Sequence, residues 1–172
     1  GFGANRDTWK ALAANGIGID FSQNRVGPWG PIEPASPEDV TMGDSGIAEV
    51  GLTTYKDIFG RRRPLQVGSS GYAEMEEVLF GCVAKGRRTA VILSHSSELL
   101  NGSRIRKDPF VSRRFLKLCS LLDRNRDCLM TAHTSELPSL ESFPGPEGVS
   151  HLRSTPWATV WRYSEQVARR FL

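Results

Sequence analysis

The stretch Arg88-Thr-Ala-Val-Ile-Leu-Ser-His95-Ser-Ser-Glu98 decides how this chain is interpreted. Residues 89–93 form an unbroken apolar and β-branched run, which is typical of a strand buried on both faces in a helix-covered sheet. The run stops at a polar cluster that contains His95. Because α/β folds build their sites at the carboxyl ends of strands, His95 is the leading candidate for a catalytic residue. A second interpretation stays open, in which His95 only caps the strand and is satisfied by a neighbouring carbonyl.

A second polar residue follows an earlier apolar run. Residues 5–15 predict a helix, with Asn5 as the N-cap and Gly16 as the stop. The next residues, 16–21, predict a short strand that carries Asp20 at its end. If both strands belong to one parallel sheet, Asp20 and His95 lie on the same rim.

The segment 23–46 shows no periodicity and is rich in proline and glycine, which predicts a long loop. Trp29 stands between two Gly-Pro pairs in this loop. Two roles are open for its indole: an exposed platform on which a sugar ring stacks, or an anchor that holds the loop to the core.

The remaining residues alternate between helical and strand patterns. Strands are predicted at 47–55, 65–67 and 128–133, and helices at 72–85, from Asp108-Pro109 and from Thr155-Pro156. An apolar stripe is predicted on the first of these proline-started helices, at Val111, Phe115, Leu118 and Leu122. On the second helix, helical spacing is held by Val160, Ser164, Val167 and Phe171, with Trp157 and Trp161 alongside. The order of elements predicts an α/β fold with a parallel sheet, in a single domain over residues 1–172.

Bulk properties restrict the class of partner. With 39% hydrophobic and 24% charged residues, the chain has an ordinary soluble composition. No run approaches the ~20 apolar residues of a membrane span. The net charge of +3 comes from short basic groups without interleaved aromatic residues, so we expect no nucleic-acid partner. Of the three cysteines, two fall on apolar faces of predicted helices, which favours buried free thiols and leans towards a reducing, cytoplasmic compartment.

With these residues in place, the chain resembles the polysaccharide deacetylases of the NodB-homology type, in particular their WalW-like branch. Residues 1–9 resemble the end of the third family motif, Gly18-Ile-Asp-Phe-Ser22 resembles the fourth, and Val91-Ile-Leu-Ser-His-Ser-Ser-Glu-Leu99 resembles the fifth. Residues 47–54 and 123–127 resemble spacers of that branch. The order and spacing of these motifs carry the resemblance, since each motif alone is weak.

The resemblance implies a fold and a reaction. The family fold is a distorted (β/α) barrel, and its reaction is metal-dependent removal of acetyl groups from a polysaccharide. His95 would be the general acid, Asp20 the carboxylate that pairs with it, and Val91 and Leu93 part of the apolar pocket for the acetyl methyl. A carboxylate near an imidazole favours the protonated form, which suits a proton donor.

The chain departs from the family pattern at the metal site. The family holds a divalent metal, expected to be zinc, with an Asp and two His in motifs that would lie upstream of Gly1. Within this chain, none of the three histidines belongs to a His-x3-His pair. We therefore expect the C-terminal portion of a deacetylase, with an incomplete barrel and with the metal ligands outside this sequence.

Other functions compete with this interpretation. A Ser/His hydrolase that uses Ser94, Ser96 or Ser97 lacks a Gly-x-Ser-x-Gly elbow. A non-catalytic carbohydrate-binding or assembly module on the same scaffold is the main alternative. His133 could share the rim with His95 or be structural, and Glu98 could bind a sugar hydroxyl or simply begin the following loop.

Overall fold

The computed structural model describes residues 4–24, 26, 40–42, 46–87, 89–103, 105–136 and 151–170. In these ranges the α helices are α1 (Arg6–Ala14), α2 (Tyr72–Ala84), α3 (Pro109–Arg124) and α4 (Pro156–Arg169). All four helices were predicted, and local capping explains where they begin. Asn5 Oδ1 accepts from the Thr8 amide at 2.9 Å at the start of α1. At the start of α3, Asp108 Oδ1 accepts from the two amides that follow Pro109, each at 2.9 Å.

The strands form two small sheets. The first sheet contains β1 (Ile19–Asp20), β2 (Val40–Met42) and β3 (Ala48–Val50) in the order β1-β3-β2, with β1 parallel and β2 antiparallel to β3. The second is the hairpin of β4 (Thr54–Lys56) and β5 (Arg62–Pro64). Gly60, with φ of 72°, takes the left-handed conformation that the hairpin turn needs.

The predicted strand at 47–55 is divided into β3 and β4. The division occurs where the backbone changes partners: the Leu52 amide donates to the Gln23 carbonyl at 3.1 Å, and the Thr53 amide donates to the Val91 carbonyl at 3.3 Å. The chain therefore passes from the side of β1 to the side of the segment that leads to His95.

The two apolar runs predicted as strands, 89–93 and 128–133, are at most partly buried. In the segment 89–93, Leu93 forms one parallel bridge with Gln66, residues 91–93 are half-buried, and Ala90 is exposed. The segment 128–133 forms no strand in the described chain, and Met130 is 83% exposed. The amides of residues 128 and 129 both donate back to the Asn125 carbonyl, which continues a helical turn and takes them out of any ladder.

The hydrophobic core lies between α2, α3 and the segments around Tyr55, Leu65 and Leu152. Met75, Val78, Leu79 and Cys82 of α2 face Val111, Leu118 and Leu121 of α3 across it. The stripe predicted for α3 is confirmed in its buried members Val111 and Leu118. Cys119 is exposed, so the prediction of a buried thiol there is wrong.

The inward face of α4 is not the apolar one. Val160 and Val167, which hold helical spacing in the sequence, are 51% and 54% exposed, whereas Arg162 and Thr159 are completely buried. Phe171 lies outside the described residues. The polar face turns inward because Arg162 lies between two buried carboxylates: its Nε is 2.9 Å from Glu74 Oε2, and its Nη2 is 3.4 Å from Asp57 Oδ2. Ion pairing, and not apolar burial, sets the rotation of α4.

Glu74 is the centre of this buried polar cluster. Besides Arg162, its carboxylate accepts from the Tyr55 hydroxyl at 2.9 Å, the Gly71 amide at 2.9 Å and the Thr159 hydroxyl at 3.3 Å. Burial and the negative charge of Glu74 both raise the pKa of Tyr55 well above its usual value. The cluster joins α2, α4 and β4 by polar contacts beside the apolar core.

The described sheets contain one parallel and two antiparallel pairs and do not close into a barrel. The parallel pair of β1 and β3 is of the kind that the sequence predicts, and the incomplete (β/α) barrel stays a prediction. In the ranges given above, none of the helices has both the length and the apolar character needed to cross a bilayer.

Candidate functional site

His95 lies between the Leu93 bridge and a single turn of 3-10 helix, Ser96–Leu99. Its backbone is extended, with φ of −121° and ψ of 140°, and the Glu98 amide donates to its carbonyl at 2.9 Å. The residue is exposed, and its imidazole forms no hydrogen bond or ion pair within the described chain. Both ring nitrogens are therefore available for hydrogen bonds to a ligand or to solvent.

The segment that carries His95 is fixed by Glu98. The Glu98 carboxylate accepts from the Gly68 amide at 2.9 Å and from the Gln66 side-chain amide. Gly68 permits this approach because a Cβ atom there would lie 2.7 Å from Glu98 Oε2. The sequence allows two roles for Glu98, a ligand for a sugar hydroxyl or a residue that begins the loop. In the structure its carboxylate holds the loop.

The same glycine connects this loop to α4. Arg169 Nη1 donates to the Gly68 carbonyl at 3.2 Å, and Arg169 Nε donates to Asp108 Oδ2 at 2.7 Å. Asp108 is the residue that caps α3. The orientation of the His95 loop is thus tied to the end of one helix and the start of another.

Asp20 lies at the end of β1, as predicted, and both of its carboxylate oxygens have hydrogen-bond donors. Oδ1 accepts from the Ser22 amide at 3.2 Å and from the Ser22 hydroxyl at 2.8 Å, and Oδ2 accepts from the Trp9 indole at 3.4 Å. The residue is 8% exposed. These donors fix the direction of the carboxylate.

The structure adds a second carboxylate, Glu49, which the sequence analysis missed. Glu49 is the register partner of Asp20 in the parallel pair and is 5% exposed. Gln23 Nε2 donates to its Oε2 at 3.4 Å. Directly paired residues of neighbouring strands project to the same face, so two acidic side chains share one face of this sheet. The position of Glu49 within an apolar, β-rich run was the only sequence signal for it.

No hydrogen bond joins Asp20 to His95 within the described residues. Asp20 pairs with Glu49 of β3 in the strand register. The segment that leads to His95 contacts the same part of the chain four residues later, where the Val91 amide donates to Thr53 Oγ1 at 2.8 Å. The direct or water-mediated pairing of Asp20 with His95 stays a prediction.

The other residues singled out in the sequence have separate positions. Val91 and Leu93 are half-buried next to the His95 loop, and Trp29 lies outside the described residues. His133 is exposed, with its amide bonded to Glu136 Oε2 at 2.8 Å. His151 is exposed among cations, of which Lys56 contributes most to lowering its pKa.

The described side chains do not form a metal site, since they contain no group of three or more His, Cys, Asp or Glu side chains that could hold a metal ion. Comparison of the chain with protein-family models, with curated proteins and with solved structures gave no significant match. The site is therefore defined by its own residues: an exposed imidazole on a fixed loop, and a pair of acidic side chains beside a neighbouring strand.

Proposed function

We propose that this chain is part of a polysaccharide deacetylase, in which His95 is the general acid. The observation that carries the proposal is the state of His95: its imidazole is exposed and has no partner in the described chain, while Glu98 fixes the backbone on which it stands. The order of motifs that resembles the NodB-type deacetylases supports the same role.

In the proposed reaction, water adds to the carbonyl carbon of an acetyl group, the bond between that carbon and the sugar nitrogen or oxygen breaks, and acetate is released. His95 gives a proton to the leaving nitrogen or oxygen at this step. Val91 and Leu93 would contact the acetyl methyl. Asp20, whose direction is set by Ser22 and Trp9, would pair with the imidazole of His95 directly or through one water.

The described residues contain no group of side chains that could hold the divalent metal of the proposal, which is expected to be zinc. The resemblance assigns its ligands to segments upstream of this sequence. The test of the proposal therefore uses a protein in which such segments are joined to this chain.

The test is the substitution His95→Ala, with acetate release measured on acetylated chito-oligosaccharides and on an acetylated exopolysaccharide. Loss of a general acid lowers the rate about 10²- to 10⁴-fold. Because the imidazole has no partner, the free energy of unfolding should change by no more than about 0.5 kcal/mol. His133→Ala is the matched control, since that histidine is equally exposed, and it should retain the wild-type rate.

Wild-type turnover by His95→Ala on both substrates would refute the role of His95. The alternative, a non-catalytic carbohydrate-binding module, predicts a different result. The wild-type chain would then bind the same oligosaccharides and release no acetate in the presence of zinc, even with the upstream segments joined.

A further inference from the structure

Helix α4 exposes two tryptophans on one face. Trp157 is 70% exposed and Trp161 is 51% exposed, and their ring centroids lie 6.1 Å apart with a 38° angle between the ring planes. Their spacing of one helical turn places both indoles on the same side of the helix. Large aromatic surfaces left in water in this way are typical of sites that stack on a ligand.

The two indoles border a groove between helices. The groove has a volume of about 390 Å³ and is formed by the exposed face of α4, one side of α3 and the start of α2. Its lining includes Tyr72 and Phe110, so aromatic side chains from all three helices contribute. A volume of this size accommodates a small organic ligand.

The charge of the groove is mostly positive. Its charged lining residues are Arg113, Arg114, Lys117 and Glu165, which gives three cations and one anion. Lys117 Nζ lies 5.0 Å above the Tyr72 ring, which holds the ammonium at the edge of the groove. The electrostatic complement of the groove is therefore an anion.

Arg114 lines the groove and is itself buried. Its side chain is 2% exposed, Nε donates to Glu165 Oε2 at 2.7 Å, and Nη2 lies 2.5 Å from that same oxygen. Nη1 and Nη2 are both buried and neither makes a hydrogen bond in the described chain, so the Nη2 contact is an ion pair only. Because a single oxygen of Glu165 pairs with this guanidinium, which lines the groove, its buried charge adds to the positive potential that the groove presents to an anion.

We propose that this groove binds an acidic saccharide, whose pyranose ring stacks on Trp161 and Trp157 and whose ring carboxylate pairs with Arg113 and Lys117 above Arg114. A pyranose has an apolar face that matches an indole and a polar rim that reaches neighbouring charges. Two indoles that follow each other along a helix also suit consecutive rings of a polymer. The groove is formed by the three helices, and binding of a saccharide there does not depend on the proposed deacetylation.

The experiment titrates the full chain with trigalacturonate and follows the tryptophan indole N–H signals by NMR, with dissociation constants from calorimetry. Binding should shift the signals of the two indoles on α4 and should weaken as sodium chloride is raised. Trp161→Ala should weaken binding about tenfold. Arg113→Gln should weaken it about threefold to fivefold.

Two substitutions outside the groove are matched controls. Leu116→Ala removes an exposed apolar side chain from α3, and Arg106→Gln removes an exposed arginine, and neither residue lines the groove. Both should bind trigalacturonate as the wild type does. Trp157→Ala is a second variant of the indole platform, and circular dichroism verifies that each variant is folded.

Several outcomes would overturn the proposal. They are absence of binding, equal binding of neutral chitotriose, equal shifts with sodium acetate alone, and tighter binding of a nucleotide. Self-association of the chain that protects the two indoles would assign the face to a second copy and would also refute a saccharide site. Loss of acetate release in the deacetylase assay has no bearing on any of these results, so the two proposals fail separately.

Discussion

Replacement of Arg162 by methionine should destabilise the protein strongly, because it leaves two carboxylates buried without their cation. The side chains of Glu74 and Asp57 are both 0% exposed, and that of Arg162 is 1% exposed. Burial alone would lower the pKa of Arg162, but the hydrogen bond and charge of Glu74 raise it, so the guanidinium stays charged. Removing one partner of a buried ion pair typically costs about 3–5 kcal/mol.

The remaining hydrogen bonds place the expected loss near the lower end of that range. Glu74 keeps the Tyr55 hydroxyl and the Gly71 amide, and Asp57 keeps the backbone amides of Phe59 and Arg61, each at 3.0 Å. We therefore expect a loss of about 3 kcal/mol in the free energy of unfolding. For a chain of this length that corresponds to a fall of about 6–12 °C in Tm.

Urea unfolding followed by circular dichroism measures this loss, with Arg126→Met as the matched control. Arg126 pairs with Asp123 at the surface, where the two side chains are 78% and 65% exposed, and its loss should cost at most about 1 kcal/mol. Combining Arg162→Met with Glu74→Gln should recover part of the loss, because one uncompensated charge is removed. A loss below about 1 kcal/mol for Arg162→Met, or one equal to that of the control, would refute the argument.

Three further predictions concern the loop, one histidine and the thiols. Glu98→Ala should destabilise the protein by about 1–3 kcal/mol and speed hydrogen exchange at the Gly68 amide, which donates to the Glu98 carboxylate. Unchanged exchange at that amide would contradict the role of Glu98 in holding the loop. His151 should titrate below 6.5 by NMR because cations surround it, and its midpoint should rise in Lys56→Gln; no rise would show that Lys56 does not act on it. A thiol reagent should label two of the three cysteines in the native protein and reach Cys82 only in denaturant, and rapid native labelling of all three would contradict its burial.

Local signals in the sequence predicted the helices well. Asn5, Asp108 and Thr155 each act through hydrogen bonds to amides three residues away or nearer, so the information that starts α1, α3 and α4 lies within one turn of chain. The end of β1 at Asp20 was predicted for a similar reason. Such features need no knowledge of distant segments.

Features that depend on distant partners were not predictable in this way. The spacing of α4 predicts a helix but not which face it buries, since Arg162 lies on the inward face by pairing with residues far away in sequence. Glu98 acts on Gly68, and Glu49 shares a sheet face with Asp20 only through strand register. An apolar run such as 128–133 also stays exposed when its amides bond locally.

The contacts of Gly68 have a consequence for sequence variation. Its amide holds the loop of His95 through Glu98, and its carbonyl holds the last turn of α4 through Arg169. The peptide units on the two sides of this glycine thus connect the last turn of α4 with the loop that carries the imidazole. Substitutions near the end of α4 should therefore co-vary with changes at positions 68 and 98, even though these positions are far apart along the chain.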